Sequence, residues 1–315
     1  MLGKSKLIYG TMGLGGGWNE TKVTDHEVEK AVKAFETALD CGITFFDFAD
    51  IYSRGKSEKV FGEVIKKRPE IRERVKIQSK AGIILPDDEG VNQFDFSASH
   101  LVKAVEKSLK NLRIEALDSL LLHRPDPLMN AKELKEAFDY LFENKMIVQM
   151  GVSNMHQYHI QFIEKAVCRK VRVNQLEISL LHLDWLDTTI GVNNDEGFKS
   201  TMTAGLMEYM MMNDIEIQAW SPMARGLFSG KDLGDSPNQI IVKTKEYVYK
   251  LAKEKDTTPE AVVLAFIMKH PAGIRPVIGT TKPERIKASV EAEKIELSRR
   301  EWYKLYILSR GEKLP

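Results

Sequence analysis

Apolar residues along this chain alternate between two rhythms. Short runs rich in β-branched, leucine and aromatic residues occur at "KLIYG" (6–10), "ITFFD" (43–47), "VKIQSK" (75–80), "LDSLLLH" (117–123), "IVQMGVS" (147–153), "VRVNQLE" (171–177), "IEIQAW" (215–220) and "IRPVIG" (274–279). Between them lie segments with the three-to-four spacing of an amphipathic helix. The clearest are "DHEVEKAVKAFETALDCG", with a cap at Thr24 or Asp25 and a stop at Gly42, and "SASHLVKAVEKSLKNL". "AKELKEAFDYLFENK", "QYHIQFIEKAV", "TAGLMEYMMMN" and "TPEAVVLAFIMKH" repeat the pattern.

Strands alternating with helices imply parallel pairing through crossover helices. Eight strands are also the number that closes a barrel, so the pattern predicts a (β/α)₈ TIM barrel spanning 1–315 as one domain. A doubly wound sheet is the alternative. It is weakened because "GLGGG" (13–17) is followed by Trp-Asn-Glu and reads as a turn, leaving the first strand without a dinucleotide fingerprint. Residues 180–200 and 221–240 are expected to be long loops at the C-terminal face, where loops shape a barrel's site. The tail "LSRREWYKLYILSRGEKLP" is expected to form an extra helix that packs back on the barrel.

Composition narrows the class of function. The 315 residues are 43% hydrophobic and 29% charged, with a net charge of +1, which gives no footing for nucleic acid or an acidic membrane surface. No apolar run approaches the roughly 20 residues that a membrane span needs. "MLGKSKLIYG" lacks the apolar stretch of a signal peptide, so the expected setting is cytoplasmic. The two cysteines, Cys41 and Cys168, both follow helix-like segments and read as reduced thiols in packed positions.

The chemistry gathers at strand ends. Asp47 closes the second strand, with Tyr52 in the loop after it; Lys80 closes the third strand and His123 the fourth. Singly, each has a bland reading: an Asp after a strand is usually a turn former, a loop Tyr a packed ring, a lone His a structural residue. Together, adjacent strands about 4.8 Å apart deliver them to one pocket. A charged Lys beside a phenol favours phenolate, an Asp keeps that Lys charged, and a neutral imidazole can orient a carbonyl oxygen. That combination suits a general acid that protonates a carbonyl while the carbon is attacked, and it predicts a Tyr52 pKa lowered toward neutrality. Asp50 reads as a loop residue outside the chemistry. His156, His159 and His182 show no metal-ligand spacing, so no metal is expected.

The fragments "FFDFADIYSRGKSEKVFG", "IQSKAG", "DSLLLHRPD", "GVSN", "VNQLE", "AWSPMARGLFSGK" and "VIGTTKPERI" stand in order along the chain. In that order and spacing the chain resembles the aldo-keto reductases over essentially its whole length. The bacterial branch and the potassium-channel β-subunits are the most similar, given Trp220 and "GLFSGK". The resemblance implies that Asp47, Tyr52, Lys80 and His123 are the catalytic tetrad. It also implies a nicotinamide cofactor across the barrel mouth. Ser153, Asn154 and Gln175 would hold the carboxamide and Trp220 would stack on the ring. Ser221, Pro222, Met223, Arg225, Gly226 and Lys231 would wrap the pyrophosphate. Gly279, Thr281 and Arg285 would meet the adenosine half, with Thr11 and Met12 beside the cofactor. Lys282 and Arg285 favour NADPH over NADH through its 2′-phosphate. Gly279, Ala288 and Ser289 depart from the Lys and the Glu-Asn pair usual in this last motif. Trp18, Tyr52 and Leu181 are the expected substrate contacts. The implied function is reduction of a small-molecule aldehyde or ketone. The alternatives are a cofactor-bound regulatory protein, as channel β-subunits suggest, and a Schiff-base aldolase using Lys80.

Overall fold

The computed structural model describes residues 5–194, 200–234 and 238–315. Residues 195–199 and 235–237, inside the two expected loops, lie outside the described residues.

Among the described residues ten strands form: β1 (Ile8–Gly10), β2 (Phe45–Asp47), β3 (Lys76–Ala81), β4 (Ile83–Ile84), β5 (Gln93–Phe94), β6 (Ser119–Leu122), β7 (Met150–Ser153), β8 (Val171–Glu177), β9 (Glu216–Trp220) and β10 (Arg275–Ile278). Eight of them close a parallel barrel in the order β1-β10-β9-β8-β7-β6-β3-β2, each falling inside a run that the sequence marks as a strand or within a residue of it. The remaining two, β4 and β5, pair antiparallel as a small hairpin over the barrel mouth after β3, an element too short to leave a periodic signal.

The helices that return the chain are α1 (Asp25–Asp40), α2 (Lys56–Lys67), α3 (Glu70–Arg74), α4 (Ala98–Leu112), α5 (Ala131–Glu143) and α6 (Gln157–Val167). After β8 come α7 (Asp184–Ile190) and α8 (Leu206–Met212), then α9 (Gln239–Glu254), α10 (Pro259–Met268), α11 (Pro283–Val290) and α12 (Arg299–Arg310). Their starts are written locally. Thr24 accepts from the Glu27 amide while the Glu27 carboxylate accepts from the Thr24 amide, a full capping box. Thr258 caps α10 with Pro259 at its first turn. No described helix is long and apolar enough to cross a membrane.

The two expected loops are partly helical, since α7 lies within 180–200 and α9 begins within 221–240. As expected, the tail is a helix that packs back. Trp302 of α12 donates from Nε1 to the Phe266 carbonyl (2.9 Å), and the Tyr306 hydroxyl donates to Asp187. Cys168 is exposed rather than packed, because it terminates α6 in a left-handed conformation with its thiol at the surface.

Candidate active site

The side-chain period of β2 explains why a carboxylate ends an aromatic strand. Phe46 and Phe48 point outward under α1 and α2, where Phe46 stacks on Phe35 (5.0 Å) and Phe48 meets Phe61 edge-on (5.2 Å). Asp47, between them, therefore faces the barrel interior. In β3 the same alternation sends Ile77 and Ser79 outward, and sends Gln78 and Lys80 inward beside Asp47.

Inside, the Lys80 ammonium is fully enclosed. Its Nζ donates to Asp47 Oδ2 (2.7 Å), the Phe48 carbonyl (2.9 Å) and the Tyr52 hydroxyl (3.0 Å), using all three of its protons. Burial opposes its charge, but Asp47 and Tyr52 more than offset that and raise its pKa, so Lys80 is a permanent cation. Tyr52 departs from expectation. Burial of the phenol outweighs the pull of Lys80, so its pKa lies above the usual tyrosine value rather than below it. The phenol thus stays protonated, and Lys80 limits how far burial can push its pKa. His123 stands edge-on to Tyr52, ring centres 6.0 Å apart. Burial, then Lys80 and Arg124, hold its pKa well below the ordinary imidazole value, so it is neutral, and its buried Nδ1 has no partner.

Beneath this group lies a floor of amides. Asp47 Oδ1 accepts from Gln78 Nε2 (2.7 Å) and Gln175 Nε2 (3.0 Å). Gln218 Oε1 accepts a hydrogen bond from each of those amides, at 2.8 and 2.9 Å, and its Nε2 donates to Gln78 Oε1 at 3.2 Å. The chain of contacts continues from Gln218 to Glu216 (2.8 Å) and on to Arg275. All three glutamines are buried, and every side-chain N–H within this layer has an acceptor. One atom is left over: Gln175 has committed both N–H groups downward, so its Oε1 alone faces the cavity above.

That cavity, about 540 Å³, opens at the C-terminal ends of the strands. Its tetrad side is lined by Met12, Trp18, Ile51, Tyr52, Ile83 and His123. Next come Ser153, Asn154, Gln175 and Trp220. Trp220 Nε1 donates to Asn154 Oδ1 (3.0 Å), and Asn154 Nδ2 donates to the Ser153 hydroxyl (2.8 Å), which fixes the indole and turns the amide nitrogen inward. Asn154, Ser221, Ala224 and Arg225 all carry positive φ, a strained backbone concentrated where the strands β7 and β9 meet the site. The far side is lined by residues of the loop after β9, by Gly279 and Thr280, and by Glu260, Arg285 and Ser289.

The pattern that defines the Aldo/keto reductase family matches residues 6–309. The chain belongs to that family. The 6-dehydroglucose reductase of Agrobacterium fabrum is 31% identical over 315 residues, 98% of this chain and 96% of that protein. A putative voltage-gated potassium channel subunit beta of Schizosaccharomyces pombe is 26% identical, covering 92% of this chain and 86% of its own. Among solved structures, the glycerol dehydrogenase of Gluconobacter oxydans superposes with a TM-score of 0.80 at 18% identity, over 99% of this chain and 93% of that one, a likeness of fold. As an aldo/keto reductase the chain is an NAD(P)H-dependent oxidoreductase of carbonyl compounds.

In this aldo/keto reductase most residues singled out from the sequence reach the cavity, and a few do not. Asp47, Tyr52, His123, Met12, Ser153, Asn154, Gln175, Trp220, Ser221, Pro222, Met223, Arg225, Gly226, Gly279 and Arg285 line it, while Lys80 reaches it through Tyr52. Thr11 does not: its hydroxyl donates to the Asp47 carbonyl (2.9 Å) and accepts from Ser57 (2.9 Å), a buried brace behind the site. Thr281 is turned toward Gly13, and Lys231 sits exposed behind Gly226. Leu181 is exposed away from the cavity, whereas Trp18 stands at its mouth. Asp50 is more than a loop residue. Burial, then the field of Glu58, raises its pKa to about 7, and its Oδ1 has no partner. Arg124 and Glu260 are lining residues that the sequence did not single out, and Ser289, named only as a departure from the family's pattern, lines the cavity too; Arg124 stands within the quoted "DSLLLHRPD" motif, and Glu260 lies in the first turn of a capped helix.

Proposed function

We propose that this aldo/keto reductase uses NADPH to reduce an aldehyde or ketone to the alcohol, with Tyr52 as the general acid. The observation that carries the reading is the enclosed contact of the Tyr52 hydroxyl with a charged Lys80 (3.0 Å), itself fixed by Asp47 (2.7 Å), beside a neutral His123 at the cavity wall.

The residues present fit a nicotinamide. Gln175 offers one unused acceptor, Oε1, and Asn154 an amide N–H held only by a long contact to the His123 carbonyl (3.5 Å), which together match the amide nitrogen and carbonyl of a carboxamide. Trp220, locked by Asn154, gives a flat apolar face. Arg225 and Arg285 line the opposite side, with Lys282 exposed beside them, and supply the charge that a phosphorylated cofactor needs. When bound, the cofactor supplies the hydride.

This chain's own residues supply the proton and the field. His123, neutral, hydrogen-bonds the substrate oxygen and aims it at the Tyr52 hydroxyl. As negative charge grows on that oxygen, Tyr52 transfers its proton, and Lys80 stabilises the phenolate left behind. The raised Tyr52 pKa suits this order, since the acid holds its proton until the oxygen becomes strongly basic. Asp47 keeps Lys80 charged and in place. The same pair argues against Schiff-base chemistry, which needs a neutral amine.

The test is Tyr52→Phe. Turnover of a panel of aldehydes and ketones should fall by roughly 10²- to 10⁴-fold, the range of general acid catalysis. NADPH affinity, read by cofactor fluorescence, should hold. Retained turnover in a folded Tyr52→Phe variant would overturn the mechanism.

A further inference from the structure

The cavity carries one cation that enters the reaction above only through its field on His123. Arg124 directly follows His123 and lines the cavity, its guanidinium 5.9 Å from the centre of the Trp220 ring. It is exposed and makes no hydrogen bond or ion pair with any described residue.

The other charges around the cavity are spoken for. Asp47 is bound by Lys80 at 2.7 Å, and Glu260 by Arg285 at 3.1 Å. Arg225 stands beside Gly226 in the loop read as a pyrophosphate cradle. At the tetrad end the remaining walls are Met12, Trp18, Ile51 and Ile83, none of them charged. Among the described residues, the guanidinium therefore faces apolar walls with no acid to answer it. A neutral substrate seated there strips water from Arg124 and returns nothing, whereas an anionic group replaces that water with two parallel charge-assisted hydrogen bonds. The planar fork of an arginine matches a carboxylate or phosphate in a way a lysine does not.

We propose that Arg124 determines substrate specificity, and that the substrate is a carbonyl compound bearing an anionic group, carboxylate or phosphate, within one side-chain reach of the carbonyl. This rests on the reading of the cavity as a carbonyl-reducing site. Trp220 serves as the platform that keeps the guanidinium over the cavity, and Arg124 acts on binding rather than on proton transfer.

The experiment compares 2-, 3- and 4-carboxybenzaldehyde with their methyl esters, and glyceraldehyde 3-phosphate with glyceraldehyde, in the wild type, Arg124→Leu and Arg124→Lys. In the wild type at least one anionic member of a pair should exceed its neutral counterpart in kcat/KM by roughly ten- to hundredfold, expressed in KM. Which pair responds tells carboxylate from phosphate. Arg124→Leu should bring that ratio to about one, Arg124→Lys should keep part of it, and NADPH affinity should be unchanged in both. Equal use of anionic and neutral members by the wild type, or a ratio that survives in Arg124→Leu, overturns the proposal. If the wild type turns over none of these aldehydes, the carbonyl-reducing reading fails instead. Calorimetric titration with 4-(hydroxymethyl)benzoate and with glycerol 3-phosphate then decides Arg124 by itself. Binding lost in Arg124→Leu supports the anion site, and binding absent from the wild type or unchanged in the variant removes it.

Discussion

Nε2 of Gln78 lies 2.7 Å from Oδ1 of Asp47, the two residues standing opposite each other on paired strands. A carboxylate buried at the base of the cavity is costly unless every lone pair finds a donor. Here Lys80, Gln78 and Gln175 supply them, and Gln218 ties the two amides together. The floor of glutamines thus fixes the Asp47 carboxyl group so that it holds Lys80 under Tyr52.

Gln78→Leu should therefore do more than leave a small packing defect. It strips one donor from Asp47 and orphans Gln218, which costs about 1–3 kcal/mol of stability. We expect kcat to fall more than KM for NADPH, because Asp47 is the group released. Denaturant unfolding and steady-state kinetics check this. An unchanged kcat alongside the stability loss would confine Gln78 to packing.

The Lys80–Asp47 pair has side chains almost completely enclosed. Removing one partner leaves the other as a buried unpaired charge, so Lys80→Met is expected to cost about 3–5 kcal/mol. The double variant Asp47→Asn with Lys80→Met should recover much of that stability while remaining inactive. A double variant less stable than Lys80→Met would show that the amide donors alone stabilise the Asp47 carboxyl group, and would overturn the unpaired-charge account. Denaturant midpoints for the four proteins of the cycle give the coupling directly.

Asp50 gives stability a pH dependence with a definite sign. Its folded pKa, about 7, stands above the ordinary 3.8 because the carboxyl is buried near Glu58. Between those values the folded state binds more protons than the unfolded one, so this group lowers stability as pH rises. The loss begins as pH passes the unfolded value and levels off above about 7. Asp50→Asn should abolish it, making the variant more stable than the wild type at pH 8 by a few kcal/mol at about 1.4 kcal/mol per pKa unit. The gain should shrink toward pH 5. Equal gains at both pH values, followed by denaturant unfolding, would show that Asp50 does not titrate in that window.

The barrel was legible because every one of its strands carries its own apolar run between helical periods. The tetrad was legible because strand ends fix where a side chain emerges: β2, β3 and the residue after β6 all release toward one rim. Sequence order says less in loops, where neither the direction of a side chain nor its partner follows a period. Hence Thr11, expected at the cofactor, turns back to brace Asp47 and Ser57, and Thr281 points at Gly13. The net effect of opposing electrostatic influences was not legible either. Lys80 beside Tyr52 can be read from the motif, but the depth of burial that overrides it cannot. The hairpin β4–β5 has two-residue strands and no pattern to read.

Glu260 and Arg285 form the ion pair through which we expect the choice between cofactors to be set. Their ion pair, 3.1 Å long, places a carboxylate against the guanidinium expected to receive a 2′-phosphate. Glu260→Gln should free Arg285 and tighten NADPH binding severalfold without a matching change for NADH. Arg285→Met should weaken NADPH more than NADH and narrow the gap between them. Fluorescence titration of both cofactors reads these shifts. Parallel changes for the two cofactors would remove Arg285 from the 2′-phosphate.

Gly62 tests how the fold supports the site from outside. A glycine inside an exposed helix normally gains about 1 kcal/mol on change to alanine. In α2, however, a Cβ at Gly62 meets the Asn111 carbonyl oxygen at 2.1 Å, a backbone atom at the end of α4 that cannot swing aside. The Asn111 side chain donates to Glu58 (3.1 Å), and Glu58 accepts from Ser79 (2.9 Å), the residue before Lys80. Pushing α2 away from α4 therefore strains a hydrogen-bonded link that ends next to the tetrad. Gly62→Ala should lower stability by about 1–3 kcal/mol, the range for overpacking, rather than raise it. It should also lower kcat in protein that remains folded. A thermal midpoint equal to or above the wild type would mean that α2 and α4 separate freely and that Gly62 is not a spacer between them.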